Sequence, residues 1–273
     1  MDTNSLFNVK GKVVLITGGG KGIGRMISEG FVSSGCRVYI SSRSAADCDA
    51  AAAALNALAS SLSSGGSAVS IPADLSQESE CKRLAAELAK KEDKLHVLVH
   101  NSGAAWGESF DSYPDSGWSK VLTLNLQRVF TLSQALMPLL EAAAVKEKGG
   151  VVTDPARIIH IGSIDALRVP VLNNFAYSAA KAGLHHLSRH LATVLGPRGV
   201  TSNTVACGPF PSKMMKATLE SFGDEITGNN PLGRIGTPED AAGVCLFLAS
   251  RAGSFVNGAT IAVDGGVSLL AKM

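Results

Sequence analysis

The sequence lacks an excess of either charge, and its basic residues are scattered rather than clustered. Its 273 residues include 25 Lys and Arg against 23 Asp and Glu, a formal net charge of +2. Recognition of nucleic acid needs a clustered basic surface, so we expect no nucleic-acid partner. The chain also lacks an apolar run that approaches the roughly 18 residues of a membrane-spanning helix, and we expect no membrane association.

Cysteines are few and widely spaced. They are Cys36, Cys48, Cys81, Cys207 and Cys245. Their odd number and the lack of a C-x-x-C pair indicate neither a disulfide framework nor a zinc site, as in proteins of a reducing compartment. His186 and His190 lie four residues apart with no third ligand in view, so we predict no metal site.

The N-terminal residues show neither the charged nor the apolar region of a secretory signal. We therefore expect an unsecreted, soluble and cytoplasmic protein. Ala271-Lys272-Met273 is a loose variant of the Ser-Lys-Leu peroxisomal address, which leaves the peroxisome as the less favoured alternative.

The chain is organised around a glycine cluster that follows a short apolar run. The run 13–17 is typical of a buried strand, and the glycines open directly onto an amphipathic helix. Glycine lets the backbone turn sharply and approach another group, while the free N–H groups of a helix start attract an anion. This arrangement favours a dinucleotide pyrophosphate over a purely structural turn. The spacing is G-x-x-x-G-x-G through Gly18, Gly22 and Gly24 rather than the common G-x-G-x-x-G.

The end of the second predicted strand bears on the choice of dinucleotide. Residues 37–41 predict a strand that ends at Ser42 and Arg43. An acidic residue there would hold a free ribose 2′-hydroxyl, whereas an arginine suits a 2′-phosphate. Arg43, with Lys21 in the glycine turn as a second cation, favours NADPH over NADH. A solvated arginine at a strand end is the alternative.

Strands and helices alternate along the rest of the chain. We predict further strands at 68–71, 95–100, 157–163, 201–206 and 260–263. We predict further helices at 45–63, 77–91, 119–145, 177–195 and 238–250. This alternation predicts an α/β fold, a doubly wound parallel sheet of seven strands with helices on both faces, as one domain over residues 1–273. Ligands are then expected at the carboxyl ends of the strands.

Three connections show no regular pattern. Residues 106–118 predict a polar and aromatic loop, 146–154 an exposed connection, and about 207–236 a segment too long for a plain connector, which we interpret as a substrate lid. The apolar residues of the first and last of these are Trp106, Phe110, Phe210, Met214, Met215 and Phe222. Core packing would explain some of them, but as a group they indicate an adaptable apolar pocket for an acyl chain or ring ketone.

Tyr177 and Lys181 lie four residues apart at a predicted helix start, so their side chains share one face. The pKa of a free tyrosine is near ~10, but an adjacent ammonium favours the phenolate and lowers that pKa towards the working range. Ser163, at the carboxyl end of the fifth strand, can donate a hydrogen bond to a substrate carbonyl oxygen. Alone the pair is common in ordinary helices; its place after a nucleotide loop and a strand-end serine favours catalysis.

Together these motifs resemble the short-chain dehydrogenase/reductase family in its classical form of one Rossmann-like domain. The residues that carry the resemblance are Thr17, Gly18, Gly22, Gly24, Asp74, Asn101, Gly103, Asn125, Ser163, Tyr177 and Lys181. The runs 161–163, 208–212 and 264–266 further resemble the branch of 3-oxoacyl-thioester reductases related to rhamnolipid biosynthesis. His100-Asn101-Ser102-Gly103 departs from the usual Asn-Asn-Ala-Gly, and Cys207-Gly208-Pro209 from the usual Pro-Gly.

The resemblance implies a role for each of four residues. Tyr177 would protonate the carbonyl oxygen as general acid and Ser163 would polarise that carbonyl. Lys181 would lower the pKa of Tyr177 and bond the nicotinamide ribose, and Asn125 would hold a water that links Lys181 to solvent. The NADP(H)-binding residues expected from the motifs and the resemblance are Gly18, Gly20, Lys21, Gly22, Ile23, Gly24, Ser42, Arg43, Asp74, Leu75, Asn101, Ser102, Gly103, Tyr177, Lys181, Gly208 and Ser212.

The expected activity is NADPH-dependent reduction of a ketone or 3-oxoacyl thioester to the alcohol. The alternatives are an NAD-dependent secondary-alcohol dehydrogenase, a pathway-specific reductase of a polyketide or other specialised metabolite, and a non-catalytic NADP-binding sensor. The resemblance also implies a homotetramer or homodimer, with the helices at 119–145 and 177–195 at one interface.

Overall fold

The computed structural model describes residues 2–213 and 215–270. Met214 and the 271–273 peptide that resembles a peroxisomal address lie outside the described residues. Within the described ranges the strands are β1 (Val13–Thr17), β2 (Arg37–Ser41), β3 (Ser67–Ser70), β4 (Val97–His100), β5 (Val145–Lys146), β6 (Val152–Asp154), β7 (Ala156–Ile161), β8 (Val200–Cys207) and β9 (Thr260–Val263). The α-helices there are α1 (Thr3–Leu6), α2 (Gly22–Ser33), α3 (Ala45–Ser61), α4 (Glu78–Ala89), α5 (Asp115–Leu122), α6 (Arg128–Ala143), α7 (Phe175–Leu195), α8 (Lys216–Gly228) and α9 (Pro238–Ala249).

Seven of these strands form one parallel sheet in the order β3-β2-β1-β4-β7-β8-β9. The predicted seven-stranded α/β sheet is therefore confirmed. The chain runs outward from β1 to β3 and then returns to place β4 on the other side of β1, so the strand order reverses there. In such sheets the crevice at the carboxyl ends of the strands, beside the reversal, is where ligands bind.

The central strand β1 shows how both faces of the sheet are covered. Val14 and Ile16 pack with the buried side chains of α2, α3 and α9, whereas Val13 and Leu15 pack with those of α4, α6 and α7. Successive residues of a strand point to opposite faces, and a parallel sheet covered on both sides needs apolar residues at every position. The continuous apolar run 13–16 satisfies that requirement.

The single helix predicted at 119–145 is interrupted in the structure. α5 begins at Asp115, directly after Pro114, and a π-helical turn over Thr123–Gln127 separates it from α6, which ends at Ala143. The turn is closed by the N–H of Arg128, which donates to the Thr123 carbonyl. Pro138 lies inside α6.

The three irregular connections contain short elements that the sequence pattern does not reveal. The segment 146–154 includes β6, which pairs antiparallel with β5, and the loop at 106–118 includes a 3-10 helix over Phe110–Ser112 and the start of α5. The segment predicted as a lid contains α8, in which every residue is at least partly exposed. Its base is closed by a hydrogen bond of 2.9 Å from the Gly236 N–H to the Pro209 carbonyl. The lid itself stays a prediction.

Among the described residues, no helix combines the length and the apolar character needed to span a membrane.

Candidate active site

The glycine turn joins β1 to α2 in a conformation that needs its glycines. Gly18 and Gly22 have φ angles of 67° and 54°, a region that side chains disfavour. At Gly24 an added Cβ would lie 2.3 Å from the Gly18 carbonyl oxygen. Lys21 at the N-cap of α2 makes no side-chain cap, so the N–H groups of the first helical turn are available to an anion. The turn fits the pyrophosphate of a dinucleotide.

Asn101 ties this turn to the end of β4. Its Nδ2 donates to the carbonyl oxygens of Thr17 and Gly18 over 3.0 and 3.2 Å. In return the Thr17 hydroxyl accepts the backbone N–H groups of Asn101 and Ser102, each over 3.0 Å. The expected cofactor residues at the ends of β1 and β4 therefore form one bonded unit.

The end of β2 brings the two expected cations to the surface. The N–H of Gly18 donates to the Ser41 carbonyl over 2.6 Å, which holds the end of β2 against the glycine turn. Ser42 is partly buried, while Arg43 and Lys21 are exposed. Neither cation forms an ion pair within the part of the chain that the structure describes.

The turn after β3 holds the residues expected beside the adenine. The Asp74 carboxylate accepts the N–H of Ser76 over 3.1 Å, and Arg128 donates from Nε to the Ser76 carbonyl over 3.2 Å. The Leu75 side chain is buried in the core among the apolar residues of α4 and α6. Only the backbone of Leu75 is therefore placed to meet a cofactor.

Ser163 and Tyr177 come from neighbouring elements at the carboxyl edge of the sheet. Ser163 lies two residues past the end of β7, and its hydroxyl oxygen accepts the N–H of Asp165 over 3.1 Å. Tyr177 is the third residue of α7. Burial of the phenol raises the pKa of Tyr177 above its usual value, while hydrogen bonding to Ser163 acts in the opposite direction.

Lys181 lies beneath Tyr177 on the same face of α7. It is buried, its Nζ donates to the Ile161 carbonyl over 2.7 Å, and Nζ lies 5.6 Å from the centroid of the Tyr177 ring. Burial lowers the pKa of Lys181 to about 8. The sequence predicts that the Lys181 ammonium lowers the pKa of Tyr177, but the groups that shift this pKa in the structure do not include Lys181, and burial of the phenol raises it.

Asn125 sits in the π-helical turn and is buried. Its Oδ1 accepts the N–H of Ala104 over 2.8 Å and its Nδ2 donates to the Ala104 carbonyl over 2.7 Å. An added Cβ on Gly103 would lie 2.9 Å from the same Oδ1. The side chain therefore fixes the loop after β4, and its expected role in holding a water stays a prediction.

The segment predicted as a lid meets the glycine turn at Ser212. A Cβ added to Gly22 would lie 3.2 Å from the Ser212 Cβ, and the Ser212 hydroxyl accepts the N–H of Met215 over 3.2 Å. Gly208 donates its N–H to the Val263 carbonyl over 3.0 Å, and a Cβ there would contact Asp264 at 2.7 Å. Both expected cofactor residues of this segment thus lie at the carboxyl edge, Ser212 beside the glycine turn and Gly208 beside the end of β9.

Comparison with known proteins agrees with this geometry. The family model described as enoyl-(acyl carrier protein) reductase matches residues 18–268. The rhamnolipids biosynthesis 3-oxoacyl-[acyl-carrier-protein] reductase of Pseudomonas aeruginosa is 39% identical over 265 residues, which cover 96% of this chain and 98% of the relative. The short-chain dehydrogenase/reductase PhomF of Diaporthe leptostromiformis is 32% identical over 282 residues, covering 96% of this chain and 92% of the relative.

The chain belongs to the short-chain dehydrogenase/reductase family. It is therefore an oxidoreductase of the CH-OH/C=O type with a Rossmann-like fold, as predicted. Among solved structures, the Pseudomonas aeruginosa RhlG/NADP active-site complex superimposes with a TM-score of 0.88 at 39% sequence identity, covering 97% of this chain and 99% of that one.

His100 stands where the family usually has asparagine, and the structure shows how the change is accommodated. The ring is buried, contacts the Ser133 hydroxyl over 2.8 Å and stacks on His160 with centroids 5.3 Å apart. Burial lowers the pKa of His100 to about 3 and that of His160 well below its usual value. Both rings are therefore neutral packing groups at pH 7.

The second departure from the family pattern places Cys207 at the end of β8. The side chain is buried, and burial raises the pKa of its thiol to about 12. This agrees with the interpretation of Cys207 as a small buried filler rather than a reactive thiol. Within residues 2–213 and 215–270, no three His, Cys, Asp or Glu side chains are grouped as metal ligands would be. The His186 ring contacts Arg189 over 3.3 Å.

The apolar residues predicted to line a pocket divide into two groups. Phe210 is only 1% exposed and belongs to the core, where it fills the space above Gly236, so it is one of those that core packing explains. Phe110 and Phe222 are 81% and 53% exposed. Trp106 is partly buried and, like Tyr177, packs against the small buried cluster of Val121, Ala176 and Ala180.

The sequence interpretation missed Asp165 and Asn174, which lie between Ser163 and Tyr177. The Asn174 Nδ2 donates to the Asp165 carboxylate over 2.9 Å, and the Asn174 Oδ1 accepts from the Ser178 hydroxyl over 2.7 Å. The position of an acid two residues after Ser163 was the available signal. Its partner could not be read from spacing, because the segment between them has no regular structure.

Proposed function

We propose that this protein is an NADPH-dependent carbonyl reductase that converts a ketone or a 3-oxoacyl thioester to the alcohol. The observation that carries the proposal is the convergence of Ser163, Tyr177 and Lys181 at the edge of the sheet that also carries the glycine turn. A hydroxyl donor, a phenol and a buried cation there match the needs of a carbonyl whose oxygen gains a proton.

Ser163 would hold and polarise the substrate carbonyl. Its hydroxyl oxygen already accepts the Asp165 N–H, so its own hydrogen is left to be shared between the Tyr177 oxygen and a substrate carbonyl oxygen. Such a donor stabilises the negative charge that develops on that oxygen as the carbonyl is reduced.

Tyr177 would give its proton to the carbonyl oxygen. The raised pKa keeps the phenol protonated at neutral pH, which is the form a general acid needs. Bound NADPH would supply the hydride to the carbonyl carbon. Once Tyr177 has lost its proton, the ammonium of Lys181, 5.6 Å from the ring centroid, would stabilise the phenolate.

The two exposed cations are the reason for proposing NADPH rather than NADH. Arg43 lies just past the end of β2, and Lys21 lies in the glycine turn that the Gly18–Ser41 hydrogen bond joins to that end. Neither forms an ion pair among the described residues, and a ribose 2′-phosphate would supply the missing anion. The solved relative is named as an NADP complex, which supports the same choice.

The proposed substrate class follows from two observations. The Pseudomonas aeruginosa relative is named a 3-oxoacyl-[acyl-carrier-protein] reductase. In addition, Phe110 in the loop at 106–118 is exposed near the first turn of α7, where it meets Phe175 edge-on with the ring centroids 6.1 Å apart. Exposed aromatic side chains beside the candidate catalytic residues suit an acyl chain or an apolar ketone.

Assembly and compartment are also proposals. Phe130 on α6 and Val194 on α7 are 46% and 53% exposed, and apolar side chains on these two helices support the homotetramer or homodimer expected from the family. Light scattering of the purified protein would test this assembly. Cytoplasmic residence is retained from the sequence.

The deciding experiment measures consumption of NADPH and NADH with 3-oxoacyl thioesters, cyclic ketones and other ketones, using Tyr177→Phe as the comparison. We expect turnover with NADPH that falls at least about 1,000-fold in Tyr177→Phe, because no other group replaces the proton donor. Equal turnover by the two proteins would reject Tyr177 as the acid. Tight NADPH binding without turnover of any ketone would favour the non-catalytic sensor.

A further inference from the structure

A chain of hydrogen bonds joins the loop that carries Ser163 to the first turn of α7, which carries Tyr177. Asp165 holds its centre, because its N–H donates to the Ser163 hydroxyl over 3.1 Å and its Oδ2 accepts from Asn174 over 2.9 Å. The chain continues through the Asn174 Oδ1, which accepts from the Ser178 hydroxyl over 2.7 Å. Ser178 follows Tyr177 directly, so the bonds run from one candidate catalytic residue to the neighbour of the other.

Local helix preference does not explain the position of the Asn174 side chain. Asn174 is the N-cap of α7, where an asparagine side chain normally accepts a backbone N–H of the first turn. Here it makes no such cap, and its amide is used by Asp165 and Ser178 instead. The long-range contact with Asp165 therefore takes precedence over the local cap.

We propose that Asp165 is a positioning residue that, through Asn174, sets the separation and orientation of Ser163 and Tyr177. We call this contact the Asp165–Asn174 brace. The inference rests on the carbonyl reductase activity proposed above, since its main readout is turnover. A proton donor and a carbonyl-binding hydroxyl act on the same oxygen atom, so a small change in their separation lowers the rate while leaving the binding of substrate almost intact.

The charge of Asp165 adds a second, separable effect on Tyr177. Burial is the main cause of the raised pKa of Tyr177; the Ser163 hydroxyl lowers that pKa, whereas the charges of Asp165 and Cys207 raise it. The Lys181 ammonium, on the same helix, lies 5.6 Å from the centroid of the Tyr177 ring. A carboxylate near a phenol disfavours the phenolate, so removal of the Asp165 charge should lower the pKa of Tyr177.

Three effects set the pKa of the Asp165 carboxyl group. Burial raises the pKa of its carboxyl group, while the hydrogen bond from Asn174 and the charge of Arg168 lower it. The amide of asparagine at position 165 would still offer an oxygen to Asn174 but would carry no charge. Asp165→Asn therefore separates the brace from the charge.

The test compares kcat and KM of the unaltered protein with Asp165→Ala, Asn174→Ala, their double variant and Asp165→Asn. Asp93→Ala is the matched control, because Asp93 is an exposed acid that precedes β4, at the end of the sheet away from the candidate site. We expect each single alanine variant to lower kcat about tenfold with KM changed less than about twofold. The double variant should be no slower than either single one, since breaking the brace at one end already breaks it.

The conservative variant gives the opposite pattern. Asp165→Asn should keep kcat within about twofold at neutral pH, while the alkaline limb of its pH profile moves to lower pH because Tyr177 loses its proton more easily. The control should match the unaltered protein. Full activity of Asp165→Ala, or multiplied losses in the double variant, would overturn the brace. An equal kcat loss in Asp165→Asn and Asp165→Ala would also overturn it, since the charge alone would then explain the effect.

Thermal unfolding of the unaltered protein, Asp165→Ala, Asn174→Ala and their double variant supplies a readout that does not depend on turnover. A brace requires the losses in melting temperature of Asp165→Ala and Asn174→Ala to be less than additive in the double variant, and additive losses would reject it. If the unaltered protein reduces no ketone, the proposed function fails, while the melting cycle still decides whether the brace exists.

Discussion

Gly24 offers the most direct test of the glycine turn. Substitution by alanine would place a Cβ 2.3 Å from the Gly18 carbonyl oxygen and 2.4 Å from the Asn101 Nδ2, closer than real Cβ atoms approach. The carbonyl belongs to the backbone, and Asn101 is held by two hydrogen bonds to Thr17 and Gly18. Neither neighbour can move without displacing the turn. Overpacking of this kind costs about 1–3 kcal/mol.

The cost should appear in the affinity for the dinucleotide. If the displaced turn loses its complementarity to the pyrophosphate, 1–3 kcal/mol corresponds to a rise in Kd of about 5- to 150-fold. Titration of NADPH fluorescence on Gly24→Ala measures this rise, and thermal unfolding of the free protein shows the part of the cost borne by stability. At about 2 °C per kcal/mol, that part is detectable.

Gly243→Ala is the matched control for the same chemical change. Gly243 is exposed within α9, and an added Cβ there meets nothing within 4 Å. Alanine in a helix interior stabilises by about 0.5–1 kcal/mol relative to glycine, so this variant should melt higher and bind NADPH unchanged. If Gly24→Ala had the same Kd for NADPH and the same melting temperature as Gly243→Ala, the role assigned to the turn would be refuted.

Two further predictions follow from charge. Burial lowers the pKa of Lys181 from 10.5 to about 8, so below pH 8 the folded protein holds a charge that unfolding would rehydrate. Lys181→Met should therefore raise the free energy of unfolding at pH 7 by up to about 3 kcal/mol. The extra stability of Lys181→Met should disappear between pH 8 and 10.5. Melting temperatures of the two proteins measured at pH 7 and at pH 9.5 check this, and a difference that stays the same at both pH values would contradict it. Arg43→Ala should raise the Kd for NADPH about tenfold and leave that for NADH unchanged, because only the 2′-phosphate loses a partner; equal changes would reject the assignment.

The sheet and the order of its elements could be predicted because they depend on local pattern. A strand buried on both faces appears as a short apolar run, and β9 was placed at its observed bounds, 260–263. The positions of Tyr177 and Lys181 on one helix face follow from their spacing of four residues. The glycine turn is marked in the sequence by Gly18, Gly22 and Gly24, because no other residue fits its backbone.

Features that depend on distant contacts could not be predicted in the same way. The π-helical turn forms where Asn125 reaches Ala104, 21 residues earlier, and the apolar periodicity of the flanking helices does not record that contact. Phe210 looked like a pocket residue because it lies in an irregular segment, yet it packs over Gly236. The raised pKa of Tyr177 comes from burial, a property that spacing along a helix does not express.

The placement of the candidate residues explains why the reaction class can be predicted from the sequence while the substrate cannot. Ser163 and Lys181 are buried against β7 and α7, so their geometry is set by the same packing that forms the sheet. The elements proposed to border the substrate, α8 and the loop at 106–118, are packed more loosely. α8 contributes no residue to the core, and Phe110 in the loop is exposed. Substitutions there meet few packing constraints. If the proposed function holds, substrate choice can therefore change through α8 and the loop at 106–118 while Ser163, Tyr177 and Lys181 stay in place.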